Sequence, residues 1–137
     1  MRTFIISVLA LLACSCSINN VTERRTRRNV NLVYDVSADL LRLETRLLAV
    51  DTLKGTVLKK KLRKLNVQKV EIYRELNSEF EGDSLIVFSK YQFFLTEGQI
   101  IFDFRKRKRV ELKAKWGKKP IRIDDRVYFR KNQLAIS

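Results

Sequence analysis

The sequence predicts an α+β fold in which one or two short N-terminal helices precede a five- to six-stranded antiparallel meander. Three observations predict it. From Val67 onward, apolar residues recur at every second position, the period of a half-buried strand. Clusters of turn formers cut that second half into short segments, too closely spaced for the crossovers that parallel strands need. Residues 38–65 instead combine strong helix formers with leucines at helical spacing. One sheet face is expected to be apolar and packed, the other solvated. The competing architecture is an all-β small barrel in which residues 40–65 supply two more strands.

The elements follow in order. Leu32, Tyr34 and Val36 alternate with Asn31, Val33 and Asp35, the pattern of a short strand. Ser37 then offers an N-cap and Asp39 a first-turn acid for a helix over 38–52, with Val36 and Leu41 as a hydrophobic staple. Leu40, Leu43, Leu47 and Val50 share one face of that helix. The same stretch also alternates, with Leu41, Leu43, Leu47 and Ala49 set against Arg42, Glu44 and Arg46, so a strand competes; propensity favours the helix. Gly55 interrupts the pattern, and Thr56 caps a second short helix over 57–65. There Leu58, Leu62 and Leu65 hold helical spacing among Lys59, Lys60, Lys61, Arg63 and Lys64. Such a lysine run is the solvated side of an amphipathic helix or, more sharply, a basic helix lying on a membrane.

Strands fill the second half. Val70, Ile72 and Leu76 alternate with Glu71, Tyr73 and Glu75, and a turn-rich stretch at 77–83 leads to the apolar run from Leu85 to Leu95. Thr96 to Gln99 reads as a hairpin turn before a strand from Ile100 to Phe104, and Arg105 to Lys108 as the next turn. Val110, Leu112, Ala114 and Trp116 then alternate with Glu111, Lys113 and Lys115. After a turn at 117–120, Ile121, Ile123, Val127 and Phe129 make the last strand, with Asp124 and Asp125 as a bulge.

Composition narrows the function. The 137-residue chain contains no histidine, which removes the commonest general base and the commonest metal ligand. Its two cysteines, Cys14 and Cys16, lie near the start, so the folded body has no disulfide framework or thiolate metal site. No glycine-rich phosphate loop, nucleophile elbow or metal-ligand spacing occurs. The acidic residues at 77–83 lack the spacing of a calcium loop, and Asp124 and Asp125 sit between Arg122 and Arg126, a setting for ion pairs rather than for a catalytic carboxylate pair. A non-enzymatic role without cofactor or metal is expected.

The formal net charge of +14 points to polyanionic partners: anionic lipid, lipopolysaccharide, acidic glycan, an acidic protein partner or nucleic acid. If residues 109–116 and 121–130 are neighbouring strands, Lys113, Lys115, Arg122, Arg126 and Arg130 share the outward face. Arg105, Lys106, Arg107, Lys108 and Arg109 line one rim, Lys118 and Lys119 the other, and Tyr128 supplies an aromatic surface between them. Arginine forks on such a face would grip phosphates or carboxylates. The plainer alternative is a soluble face whose lysines guard against edge pairing.

Localisation is written in the first sixteen residues, MRTFIISVLALLACSC. Arg2 precedes an apolar run from Phe4 to Ala13, broken only by Ser7 and too short to span a bilayer core as a helix. Leu11-Leu12-Ala13-Cys14 resembles the lipobox of bacterial lipoprotein signals. The resemblance covers residues 1–16 alone. It implies removal of residues 1–13, a diacylglycerol on the Cys14 sulfur and a place in the cell envelope, facing the periplasm or the cell surface. Ser15, where an Asp would retain some such proteins in the inner membrane, points to the outer one. Residues 14–30 then read as the lipidated cysteine and a flexible basic tether, whose Arg24, Arg25, Arg27 and Arg28 would hug an anionic membrane. Residues 31–137 form a single globular domain. An unexported nucleic-acid-binding protein is the alternative.

Overall fold

The computed structural model describes residues 23–74, 84–92, 96–106, 111–114 and 118–131. Residues 23–28 form helix α1, followed by α2 (Val30–Leu41), β1 (Leu47–Ala49), a 3-10 turn (Val50–Thr52), α3 (Val57–Lys64), β2 (Lys69–Tyr73), β3 (Leu85–Gln92), β4 (Thr96–Asp103), β5 (Ile121–Arg122) and β6 (Val127–Lys131). The fold is α+β. Its strands make one open, antiparallel, six-stranded sheet in the order β1-β2-β3-β4-β6-β5, not a closed barrel.

The expected strand at 31–36 is the body of α2. The period-two reading weighed Leu32, Tyr34 and Val36, but the buried set is Val33, Val36, Ser37 and Leu40, at the three- and four-residue spacing of a helical stripe. Residues 23–30, read as tether, are helical over 23–28, with Thr26 fully buried. At the junction the Asn29 side chain donates to the Arg25 carbonyl at 2.9 Å, and Val33 N–H donates to the Asn29 carbonyl, so α2 starts almost without a break.

The helix expected over 38–52 ends at Leu41. Residues 47–49 become an edge strand whose Leu48 packs toward the core while Leu47 and Ala49 are exposed, so pairing with β2 overrides helix propensity. That edge is blunted. Hydrogen bonds from Ile72 N–H to the Arg46 carbonyl and from Val50 N–H to the Gln68 carbonyl turn the Leu47 and Ala49 carbonyls outward. Thr45 Oγ1 donates to the first at 3.0 Å and Thr52 Oγ1 to the second at 2.7 Å. Hydroxyls thus occupy the acceptors that an added strand would seek.

Helix α3 forms where the sequence places it. Thr56 Oγ1 accepts the Lys59 N–H at 3.3 Å as N-cap. At the other end Asn66 takes a left-handed φ of 64°, Val67 N–H donates to the Leu62 carbonyl and Asn66 N–H to the Arg63 carbonyl. This is a Schellman closure, and the buried Leu62 and Val67 give it the accompanying apolar pair.

Three sheet expectations need correction. Thr96 to Gln99 are not a turn but the start of β4, paired with Ser89 to Gln92; the connection at 93–95 lies outside the described residues. Asp124 and Asp125 are not a bulge but the tip of a hairpin, closed by mutual hydrogen bonds between Asp124 and Val127, which splits the expected last strand into β5 and β6. Residues 111–113 are irregular and Ala114 makes only an isolated bridge, so β6 rather than this segment lies beside β4.

The last correction concerns the sheet faces. On one face, α2 and α3 cover Val70, Ile72, Ile86, Phe88, Ile100, Phe102, Val127 and Phe129. On the other, Leu85, Val87, Ile101 and Tyr128 pack with Leu112, so the central strands are buried on both sides. The Tyr34 ring meets the Phe102 ring edge-on at 5.4 Å, and its hydroxyl accepts the Arg126 N–H at 3.3 Å, which ties α2 to the β5–β6 hairpin. Burial, partly offset by the hydrogen bond from Arg126, raises the pKa of that phenol.

Candidate anion-binding surface

Three of the arginines expected on an open cationic face, Arg105, Arg126 and Arg130, are drawn into the fold. Arg130 follows Tyr128 on the side opposite the helices and is 6 % exposed. Its Nε donates to Gln99 Oε1 at 2.8 Å, and Gln99 is its cross-strand partner. Gln99 Nε2 reaches Ser89 Oγ on the next strand at 3.5 Å, so a polar row crosses β3, β4 and β6 inside the domain. Arg126 spends Nη1 on the carbonyls of Asp103 at 2.8 Å and Arg105 at 3.2 Å.

Arg105 is folded back on Asp103 in a two-pronged pair, Nε to Oδ1 at 2.9 Å and Nη2 to Oδ2 at 2.7 Å, with both side chains mostly buried. That pair raises the arginine's already high pKa against the opposing effect of burial. Arg122 bridges to Asp125 at 2.9 Å across the hairpin tip, where both are exposed. Asp124 Oδ1 accepts the Asp125 N–H, so these carboxylates are engaged in the turn and are not a buried pair. Tyr128, expected as an outward aromatic, is 4 % exposed. Lys113 and Lys118 are exposed, and Lys119 pairs with Glu111 at 2.9 Å. Lys115, Arg107, Lys108, Arg109 and Cys14 lie outside the described residues.

The helical side also carries uncommitted cations. Leu62 of α3 and its C-cap Leu65 are fully buried while Lys60, Arg63 and Lys64 are exposed, with no ion pair among the described residues. The neighbouring Lys61 is different: its Nζ lies 2.6 Å from Asp35 and 3.3 Å from Asp39 on α2, and the Asp35 contact raises its pKa. Lys59 Nζ reaches the Asp51 carbonyl. In α1, Arg27 pairs with Glu23 at 3.1 Å, whereas Arg24 and Arg28 stay exposed without an ion pair among the described residues. Sequence reasoning found the α3 cations but assigned Arg24 and Arg28 to a tether; their four-residue spacing is the signal that places both on one helix face.

A separate cleft of 380 Å³ opens beside the end of α2, lined by Leu41 to Glu44, Arg46 and Arg74. Arg74 holds its wall by donating to the carbonyls of Leu43 at 2.7 Å, Thr45 at 3.2 Å and Leu41 at 3.4 Å, a cation placed at a helix C-terminus. Sequence reasoning gave this cleft no notice. Among the described residues, no three His, Cys, Asp or Glu side chains gather as a metal site, and no helix is long and apolar enough to cross a membrane.

Comparison with known protein families, curated proteins and solved structures finds no match.

Proposed function

We propose that this chain is a lipid-anchored, non-enzymatic binding module of the bacterial cell envelope. The N-terminal layout supports the anchor: Arg2, a short apolar run and Leu11-Leu12-Ala13-Cys14. In this reading Cys14 carries the lipid, the domain faces the periplasm or cell surface, and the outer membrane is the favoured site. Its partner is anionic: lipid, lipopolysaccharide, acidic glycan or an acidic protein of an envelope assembly.

One observation carries the binding surface. The buried Leu62 and Leu65 fix α3 against the sheet, so Lys60, Arg63 and Lys64 are presented from a rigid element and are not committed to ion pairs among the described residues. A rigidly mounted cation cluster loses less entropy on meeting an anion than cations on a mobile tail. The role assigned to the sheet arginines therefore passes to the helical side.

The anchor is tested by the mass of the mature N-terminus and by fractionation. Lipidation predicts a chain beginning at Cys14 with added acyl mass, and Cys14→Ala predicts loss of lipid labelling and release from membranes. A full-length, unmodified chain in the cytosol would contradict the reading. It would favour an unexported protein whose α3 cations meet a nucleic-acid backbone.

A further inference from the structure

We infer that α1 is the membrane-facing side of the domain and docks on the phosphates of anionic lipid headgroups. The inference rests on the lipid anchor at Cys14 proposed above, and assigns an orientation that the anchor alone does not fix.

Nine residue steps separate Cys14 from Glu23, so even a fully extended chain spans no more than about 30 Å between the lipidated sulfur and α1. The domain is therefore leashed by its α1 end.

Helix α1 is part of the folded body. Thr26 is fully buried, which fixes the helix rotation and sends Arg24 and Arg28 to solvent. Beneath α1, cross-strand pairing aligns Lys90, Gly98 and Lys131 across β3, β4 and β6. Lys131 Nζ lies 3.3 Å from Glu23, so α1 sits over this row.

Glu23 is the single carboxylate of α1 and this row, and it is already shared between Arg27 and Lys131. Lys90 hydrogen-bonds the Asn66 side chain; burial, with the Arg25 guanidinium adding to it, lowers its pKa. The α1 end is thus a concentration of positive charge with little internal neutralisation, and a layer of lipid phosphates supplies the missing anions.

Placing α1 against the bilayer leaves the α3 cations available for a partner. The inference thereby separates two cationic surfaces that net charge alone would merge.

The experiment uses the lipidated protein purified from membranes, with acylation verified by intact mass. It is reconstituted into vesicles of phosphatidylcholine alone or of phosphatidylcholine with phosphatidylglycerol, and amide hydrogen exchange is followed in α1 and α3. The expected result is slower exchange in α1, by about tenfold or more, only in vesicles containing phosphatidylglycerol, reversed by high salt, with α3 unchanged. Arg24→Gln combined with Arg28→Gln should erase the difference while leaving unfolding by urea unaltered. Protection appearing in α3 instead, or in neither helix, would overturn the orientation while leaving the anchor standing. A chain without acyl mass overturns the anchor itself, and the orientation with it.

Discussion

The corner formed by β4, β5 and β6 and the outer side of α3 are comparably rich in cations, yet they hold them differently. At the corner, Arg105 grips Asp103, Arg126 bonds two carbonyls and Arg130 is buried against Gln99. On α3, Lys60, Arg63 and Lys64 point away from a stripe of buried leucines. The difference lies in the scaffold. A helix turns every residue of its outer stripe to water, whereas a strand covered on both sides must satisfy each polar group inside the protein. Arginine, with five donors in a planar fork, is the cation that can be so absorbed.

The two cation sets should differ most in their effect on stability. Arg130→Met should destabilise the domain by about 2–3 kcal/mol in urea unfolding, since it leaves the buried Gln99 carbonyl without its donor. Lys64→Met should stay within about 0.5 kcal/mol of the parent. Equal effects would mean that the two cation sets do not differ as described. A smaller change sharpens the helical side: Thr56→Ala removes the N-cap of α3 and should cost about 1 kcal/mol.

The smallest effect concerns pH. Glu71 lies on β2 beside Lys69, 2.8 Å away, and accepts a hydrogen bond from the Tyr73 hydroxyl. Burial raises its pKa, but the bonds from Lys69 and Tyr73 outweigh it and leave the carboxyl below its ordinary value. A carboxyl lowered by folding contributes stability above its unfolded pKa, near 4.3, and loses it as the pH falls through the folded value. Glu71→Gln should therefore flatten the loss of stability in that acid range and leave the slope near neutrality unchanged, as read from urea midpoints against pH.

Much of the architecture was legible in the residues. The period-two run through Val70 and Ile72, the long apolar stretch at Leu85 and the Thr56 cap specify β2, β3 and α3 by local rules. What escaped depended on partners distant in sequence. Residues 31–36 satisfy both periods, and only the packing of Val33, Val36 and Leu40 beneath α2 decides for the helix. Leu47 to Ala49 have helix-forming residues but lie where β2 needs an edge partner. The engagement of Arg126 and Arg130 escaped for the same reason: the pairing of β4 with β6 brings the Asp103 carbonyl and Gln99 to them, and no local pattern announces it. Residues 23–28 looked like tether because arginine composition concealed a short helix with Thr26 turned inward.

In the proposed function the helical side, rather than the sheet corner, holds anions. The most direct test is the salt dependence of affinity for a soluble sulfated glycan, measured on the parent chain, on Lys60→Glu with Arg63→Glu and Lys64→Glu, and on Arg122→Glu. The account predicts that the α3 reversal weakens binding by about tenfold or more and flattens its salt dependence, while Arg122→Glu stays close to the parent. Binding that survives the α3 reversal and is lost with Arg122→Glu would contradict it.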